Sequence, residues 1–584
     1  MTDKEFSRRD FLRVGGLATV SLPAVRIVQQ MEGYDLVESG EKYGGFLIRR
    51  HTHDDPPYEL DDELYDRPDA RKSLDPLKMN IQMENALTRL AEGEYSRFNC
   101  AFHNASWTLA MGLGTNGAQT NAGLYSWKQI PNADGPGLPK YHQLPRWKPT
   151  EDGLGREELT AMVKKAAKFF GASLVGIAPV DERWFYSRVF DVDLAELLND
   201  ASEYAEDAGV EMPASGGGLS GRAVVQQAML SMDKNDMKAM IVDVSSSVDS
   251  SLLPEGVSVP ALKAMPPGLF QKMLPNVIRT FQPEYLVALA EGIPAEYLPD
   301  DFDPQVILEE DFEIIDISES IPGAGINFYD GDDSYYEGSE GEGKGEYYIS
   351  RKMKYAVVMA FEMDEDGLET EHGQIPEAAV ARGYSRMATT AGTLATFLRN
   401  LGYNAIPMGN DTSLSVPLAV HAGLGELSRA GYLITPKYGP RVRLAKVVTD
   451  LPLVVDQPIS FGVTEFCQVC GKCAENCPSG AISTGERSFN APSTGSPGVL
   501  KWAIEGAKCQ QYWSDMGTSC SMCITSCPFN KPQGWLHEAT RVLIGARSGS
   551  VDKILLKLDD VSGYGEGKPK EEFWTKDNYL HIRD

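Results

Sequence analysis

Eight of the nine cysteines in this 584-residue chain lie between positions 467 and 527, so any fold assigned to it must bring them together. The first run is Cys467-x2-Cys470-x2-Cys473-x3-Cys477 followed by Pro478, the spacing of bacterial ferredoxins that hold [4Fe–4S] clusters. The second is Cys520-x2-Cys523-x3-Cys527 followed by Pro528, with Cys509 eleven positions upstream as a displaced first member. In two-cluster ferredoxins the fourth cysteine of each run crosses to the other cluster. One cube is then expected on Cys467, Cys470, Cys473 and Cys527, and the other on Cys509, Cys520, Cys523 and Cys477. Iron takes soft thiolate ligands, and each C-x2-C step turns the backbone tightly enough to present two sulfurs to one cluster. Structural zinc rarely carries the x2-x2-x3-Pro ladder, and a disulfide framework would not crowd its cysteines into so small a part of a long chain. The ninth cysteine, Cys100, reads as a buried spectator. A chain built this way moves electrons.

The other end says where. Ser7-Arg8-Arg9-Asp10-Phe11-Leu12, followed by a short apolar stretch from Val14 to Val25, reads as a twin-arginine export signal. That route carries folded proteins, which suits clusters inserted in a reducing cytoplasm. The apolar stretch is too short to span a bilayer, and no later run reaches about 18 apolar residues. No clean A-x-A cleavage site is visible. The expected product is soluble or peripheral, at the outer face of the cytoplasmic membrane, with any firmer hold supplied by a partner. A net charge of −28 would repel phosphates, which speaks against direct nucleic-acid binding.

Between these ends the pattern suggests an α/β (α+β) core followed by a ferredoxin-like domain. Residues 1–30 are the signal, and residues 31–150, rich in Pro, Gly, Asn and aromatic side chains, form an N-terminal wrapping segment. His51 and His53, beside Asp54 and Asp55, read as a polar surface loop rather than metal ligands. The core occupies 151–455. Its first helix starts at Arg156, with Leu159, Met162, Val163, Ala166, Ala167 and Phe170 on one face and Gly171 as its stop. A buried strand from Ser173 to Pro179 follows. An insertion covers about 190–350, and its acidic stretch from Asp330 to Glu346 reads as a flexible segment or surface lid. Next come a strand from Lys354 to Met363 and a long helix from Glu377 to Leu401, preceded by Pro376 and closed by Gly402. A short strand, Asn404 to Pro407, leads to a turn at Gly409-Asn410-Asp411. A further helix begins near Pro417 and breaks around Gly423-Leu424-Gly425. The two-cluster domain covers 456–545, and 546–584 form a tail packed back on the body. Trp184, Phe185 and Tyr186 are suggested as pocket lining.

Clusters alone make a conduit, and what they feed must lie upstream. Gly423-Leu424-Gly425-Glu426-Leu427-Ser428 is a poor dinucleotide fingerprint, because Ser428 stands for the third glycine and no long strand precedes it. Glycines here could let the backbone approach a flat macrocycle closely, or could break a helix for packing; spacing leaves both open.

At this point the chain resembles the respiratory reductive dehalogenases, corrinoid and iron–sulfur enzymes that remove halogen from organohalides. The resemblance runs through the export signal, Gly171 to Gly176, Leu401 to Pro407, Ala422 to Gly425 with Ser428-Arg429, Tyr438 to Leu444, and both cysteine runs. It implies a base-off corrinoid above the cluster domain, with Gly423, Gly425 and Ser428 as contacts. In agreement, the D-x-H-x-x-G stretch of histidine-ligated corrinoid folds is absent. It further implies Tyr384, in Arg382-Gly-Tyr-Ser-Arg386, as proton donor, Asn410 as the amide that orients it or the substrate, and Arg443 as the basic residue beside it. Other members carry lysine at the last position. A cation beside a phenol stabilises the phenolate left by proton transfer.

The implied reaction is R–X + 2e⁻ + H⁺ → R–H + X⁻. The implied partners are an organohalide, a small integral-membrane anchor subunit and a respiratory electron donor, without nucleic acid. Two other readings compete. An epoxyqueuosine reductase would share the cofactors but should be cytosolic, with a basic face for RNA. An exported iron–sulfur electron carrier would leave most of the chain without a task.

Overall fold

A computed structural model of the chain describes residues 34–36, 47–112, 148–190, 224–264, 282–307, 321–337, 345–531 and 540–575, apart from breaks within these stretches. The twin-arginine segment, residues 1–30, lies outside the described residues. The chain divides into two compact units, Met1–Ala201 with Ser318–Asp584, and Ser202–Ile317.

The larger unit is organised on a four-stranded sheet of order β3-β8-β12-β9, formed by β3 (Leu174–Pro179), β8 (Tyr355–Glu362), β9 (Ala405–Met408) and β12 (Val442–Thr449). Every pairing in it is antiparallel, with Arg443 opposite Phe361 and Lys446 opposite both Val358 and Met408. The core is therefore α+β, and it lacks the parallel crossovers of a doubly wound sheet. Its strands read as near-continuous apolar runs because both faces are covered. Val175, Ile177, Val357, Met359, Ala445 and Val447 face one layer. That layer is made by α3 (Arg156–Phe169) and α8 (Gln374–Asn400). Leu174, Ala356, Val358, Leu444 and Val448 face the other way, toward α9 (Ser415–His421). Trp184 and Phe185 are buried in this second cluster, while Tyr186 is only partly buried there.

The first helix and strand follow their periodicity, and α8 stops where Gly402 takes a left-handed φ of +85°. The helix starts earlier than its proline suggests. Pro376 lies inside the first turn of α8, where a missing N–H costs nothing.

Two expectations for the connecting segments change. The N-terminal segment contains two sixteen-residue helices, α1 (Pro76–Ala91) and α2 (Arg97–Gly112). The acidic stretch is not simply a lid. Its described residues contribute β6 (Tyr335–Glu337) to a second sheet of order β4-β5-β7-β6, with β4 (Arg188–Phe190), β5 (Gly323–Tyr329) and β7 (Glu346–Ser350). The smaller unit is thus narrower than the expected insertion. Its described core is helical, with Met237, Ile241, Tyr285, Leu286 and Leu289 buried across α4 (Lys234–Ser247) and α6 (Pro283–Gly292), beside the short α5 (Val259–Ala264).

A third sheet joins β1 (Tyr34–Leu36), β2 (Leu47–Arg50) and β13 (Ile459–Ser460), tying the N-terminal segment to the start of the cysteine-rich region. Among the described residues no helix is long and apolar enough to cross a membrane.

Candidate active site

The cysteine runs fold into short helices and turns. Cys467 lies on α10 (Val463–Val469), Cys473 on α11 (Lys472–Glu475), Cys509 on α12 (Gly506–Met516) and Cys523 on α13 (Met522–Thr525). The thiols lie close to one another, within the two expected quartets and also across them, where Cys473 neighbours Cys523. Burial raises Cys527 first, and then Cys467, Cys470 and Cys473 add to it by proximity. Burial likewise holds Cys520 high, with Cys523, Cys509 and Cys477 as its sulfur neighbours. Cys509 is pushed to about 12 by burial and by Cys523 and Cys477. Sulfurs that must ionise side by side in a buried space call for a cation between them.

Among the described residues no three His, Cys, Asp or Glu side chains close on a single ion. Cys467, Cys470, Cys473, Cys523 and Cys527 line one cavity together with Tyr432 and Phe529. An all-thiolate donor set around such a space fits iron–sulfur clusters.

Arg429 pins this region. Its guanidinium donates to the carbonyls of Cys467 at 2.9 Å and Ser483 at 2.9 Å, and stacks over Trp502. Tyr432 reaches the other quartet, with its hydroxyl 3.3 Å from Cys523 Sγ. The neighbouring Cys523, and then burial, keep that hydroxyl protonated, so toward a thiolate it is the donor.

Tyr432 and Cys523 pack in one apolar cluster with Tyr384. Tyr384 sits in the middle of α8. Asn410, on the turn after β9, donates from Nδ2 to the Tyr384 hydroxyl at 3.0 Å. Arg443, on β12, lies with its guanidinium 4.8 Å from the Tyr384 ring centre and Nη1 3.5 Å from the hydroxyl. The structure thus brings these three side chains to one oxygen from three elements.

A fourth residue, Lys446, is fully buried on the opposite face of β12 and donates to the Gly409 carbonyl, to the Ser413 carbonyl at 3.0 Å and to Ser415 Oγ at 2.9 Å. An ammonium has only donors, so Ser415 Oγ must accept from it and spend its own proton on Asn410 Oδ1, 3.2 Å away. That fixes the amide with Nδ2 toward Tyr384. It also leaves the Tyr384 O–H proton free to point elsewhere.

Sequence reasoning missed Lys446, although a lone lysine inside the apolar run Val442–Thr449 is itself a signal. It also missed Trp107 on α2, whose indole stacks on Tyr384 with ring centres 5.2 Å apart and planes at 22°.

The glycine positions behave differently. A Cβ on Gly423 would lie 2.4 Å from the Gln457 carbonyl oxygen, and one on Gly425 would lie 2.0 Å from that of Ile434. Gly423 also takes a left-handed φ of +64°. Ser428 Oγ donates to the Tyr432 carbonyl at 3.0 Å. The close approach that these bare Cα positions permit is of the chain to itself. Buried side-chain atoms without a hydrogen-bond partner include Trp513 Nε1, Ser519 Oγ, Ser521 Oγ and both amide atoms of Asn530 in and beside the second cysteine run, and Arg443 Nε. Such atoms fit a large group with a hydrogen-bonding rim.

His51 and His53 are occupied in packing. His51 Nε2 is 2.7 Å from Ser460 Oγ, and His53 Nδ1 is 3.1 Å from His421 Nδ1. Cys100 is half-buried rather than buried, and burial raises its thiol.

Comparison with known proteins follows from this geometry. Residues 466–530 match the model of a 4Fe-4S double cluster binding domain. Over 230 residues the chain is 41% identical to the tetrachloroethene reductive dehalogenase of Sulfurospirillum multivorans, covering 39% of this chain and 46% of that one. It is 30% identical over 191 residues to the trichloroethene reductive dehalogenase of Dehalococcoides mccartyi, covering 31% and 32% respectively. The chain therefore spans about half or less of the length of these curated relatives. A shorter match, 31% identical over 121 residues and 20% of this chain, is to the epoxyqueuosine reductase of Lactococcus garvieae. Among solved structures, a catabolic reductive dehalogenase in complex with 3-bromo-4-hydroxybenzoic acid is similar over 36% of this chain and 30% of that one, with 32% identity and a TM-score of 0.34.

Proposed function

We propose that this homologue of the reductive dehalogenases is itself a corrinoid-dependent reductive dehalogenase, replacing a halogen of an organohalide by hydrogen. The observation that carries the reading is the convergence of Asn410 and Arg443 on the Tyr384 hydroxyl, in an apolar cluster shared with the cluster-domain cysteine Cys523.

In this reading Cys467, Cys470, Cys473 and Cys527 hold one [4Fe–4S] cluster, and Cys509, Cys520, Cys523 and Cys477 hold the other. Ser519, Ser521, Asn530 and Trp513 would meet the amide-bearing rim of the corrinoid. When bound, the reduced corrinoid supplies the low-potential cobalt centre needed to cleave a carbon–halogen bond.

The chain's own contribution is positional and protonic. Tyr384 Oη holds the proton that ends on carbon. Asn410 Nδ2 occupies a lone pair of that oxygen, so the O–H is aimed away from the amide. The Arg443 guanidinium compensates the phenolate that remains. The Trp107 indole covers one face of the Tyr384 ring and excludes water from it.

The remaining parts of the reading concern place and partners. The twin-arginine segment would deliver the folded protein to the outer face of the cytoplasmic membrane, where a small integral-membrane subunit anchors it. A respiratory donor would feed the clusters. The net charge of −28 supports this over an RNA-directed epoxyqueuosine reductase.

The test is the purified anaerobic protein with reduced methyl viologen and a panel of chlorinated and brominated alkenes, alkanes and arenes. It should hold about eight iron and one cobalt per chain. Tyr384→Phe should keep both and lose about 10²–10⁴ in turnover. Absence of cobalt after reconstitution with cobalamin rules the reading out. Full activity in Tyr384→Phe removes the proton donor from it.

A further inference from the structure

His103 stands between two groups that cannot both use one nitrogen. Trp107, one turn further along α2, places its indole Nε1 2.8 Å from His103 Nε2. Glu377, in the first turn of α8, places Oε1 3.4 Å from that same nitrogen. An indole N–H only donates and a carboxylate only accepts. His103 Nε2 therefore offers a lone pair to Trp107 when the ring is neutral, or a proton to Glu377 when the ring is charged. It cannot do both. Nδ1, 3.1 Å from Asn104 Oδ1, can donate in either state, so the ring need not turn over.

We propose that His103 is a positioning residue: neutral, it holds Trp107 against Tyr384, and on taking a proton it turns to Glu377 and releases the indole. The consequence for turnover rests on the reading of Tyr384 as proton donor; the exchange of partners does not.

The surroundings are arranged for such an exchange. The side chains of His103 and Glu377 are 21% and 10% exposed, so water competes weakly for either. Glu377 Oε2 already accepts from Thr518 Oγ1 at 2.5 Å, which leaves Oε1 for the histidine. Burial opposes the charged ring, but the hydrogen bond and the charge of Glu377 outweigh it, so His103 takes its proton above the pH of a free imidazole. Other titratable or charged groups on this side, among the described residues, include Cys100 on the same helix, Tyr95 just before it with Arg89 and Glu94 acting on it, Lys570 of α15 (Lys570–Thr575), and Tyr384 with Arg443 beyond the indole. Glu377 acts on both Cys100 and Tyr95, and the Lys570 ammonium stands 6.0 Å over the Tyr95 ring. None of them has a bond to His103 Nε2.

The experiment is ultraviolet resonance Raman of the indole N–H bands in the holoenzyme across about pH 5–9, bracketing imidazole titration. The Trp107 contribution is isolated as native minus Trp107→Phe. Should that variant fail to fold, native minus His103→Gln should be flat above the inflection and show the loss of the bonded indole below it. The indole should pass from hydrogen-bonded to free as pH falls, through one inflection above the ordinary imidazole value of about 6.5. His103→Gln presents an amide oxygen that accepts from Trp107 but does not titrate, so it should hold the bonded signature throughout. Glu377→Gln should move the inflection to lower pH. In turnover, kcat/KM of the native enzyme should fall on the acid side with the same inflection, and His103→Gln should lack that limb. An indole band indifferent to pH in the native protein, or one that still titrates in His103→Gln, overturns the proposal. A spectral exchange in a protein that dehalogenates nothing faults the functional reading instead.

Discussion

Replacing Lys446 by methionine tests whether the Asn410 amide is held in place from behind. The substitution keeps the length and apolar stem of the side chain and removes the ammonium that donates to Gly409, Ser413 and Ser415. Two backbone carbonyls then lose a buried donor, at about 1–3 kcal/mol each. Relief of the ammonium's own desolvation offsets part of this. A net local loss of about 2 kcal/mol is expected, about thirtyfold in the population of the ordered turn. Ser415 is then free to reverse its hydrogen bond, and Asn410 loses its fixed orientation toward Tyr384. Turnover should fall by about 10- to 100-fold, the scale of a misplaced catalytic geometry. Ser415→Ala, which breaks only the middle link, should cost about fivefold. The assay is methyl viologen turnover with cluster content checked by paramagnetic resonance. Heat-inactivation rates should be followed in parallel, because a cluster protein seldom unfolds reversibly. Asn410→Ala combined with Lys446→Met should be little worse than the worse of the two singles. Unchanged turnover in Lys446→Met, or losses that multiply in the double variant, would refute the reasoning.

Three further outcomes follow from the described geometry. Cys477→Ala and Cys509→Ala should abolish the same paramagnetic signal, and Cys527→Ala the other; a shared loss for Cys477→Ala and Cys473→Ala would show the ligands are not crossed. Tyr432→Phe removes a donor from the Cys523 sulfur, so the midpoint potential of that cluster should fall while iron content holds; equal potentials in redox titration would make the hydroxyl a bystander. Glu426, 2% exposed, has its carboxyl raised to about 7 by burial, although it accepts from the backbone N–H groups of Phe461 and Val463. Its folded value lies above its unfolded one, so its contribution is fully present below about pH 4.5 and is lost as pH rises through about 7, by about 3 kcal/mol at most. Heat-inactivation rates should climb across that window in the native protein and flatten in Glu426→Gln.

Much of the core was legible because its elements obey local rules. The α3 helix and β3 strand bury residues at the spacing that their sequence displays, and β8 is apolar because both its faces are covered. The α1 and α2 helices were not legible, because what they bury is set by distant partners. Asn85 is buried through a hydrogen bond to the Ser514 carbonyl, and Asn99 accepts from the Trp574 indole. A polar residue satisfied from more than 400 positions away looks, in sequence, like a surface residue. Gly423 and Gly425 show the opposite failure. Their need for a bare Cα was readable, but not whether a ligand or the chain itself would come close. Tyr384, Asn410 and Arg443 were nameable only through family resemblance, since nothing in their local patterns sets them apart from packing residues. Lys446 and His103 act through other side chains and leave weaker marks. One is a charge inside an apolar strand, and the other a histidine four residues before a tryptophan on a helix.

The exchange of one sulfur between the two cysteine runs also has a consequence for biogenesis. Synthesis from the N-terminus makes Cys467, Cys470 and Cys473 available first, yet in the proposed wiring their quartet closes only when Cys527 has emerged. The second quartet, which borrows Cys477 from the earlier run, is complete once Cys523 appears. The site begun first is therefore the last to be finished, and neither run on its own can mature a centre. A truncated product ending between the runs would offer three sulfurs to one cluster and one to the other, so loading is coupled to elongation past both runs.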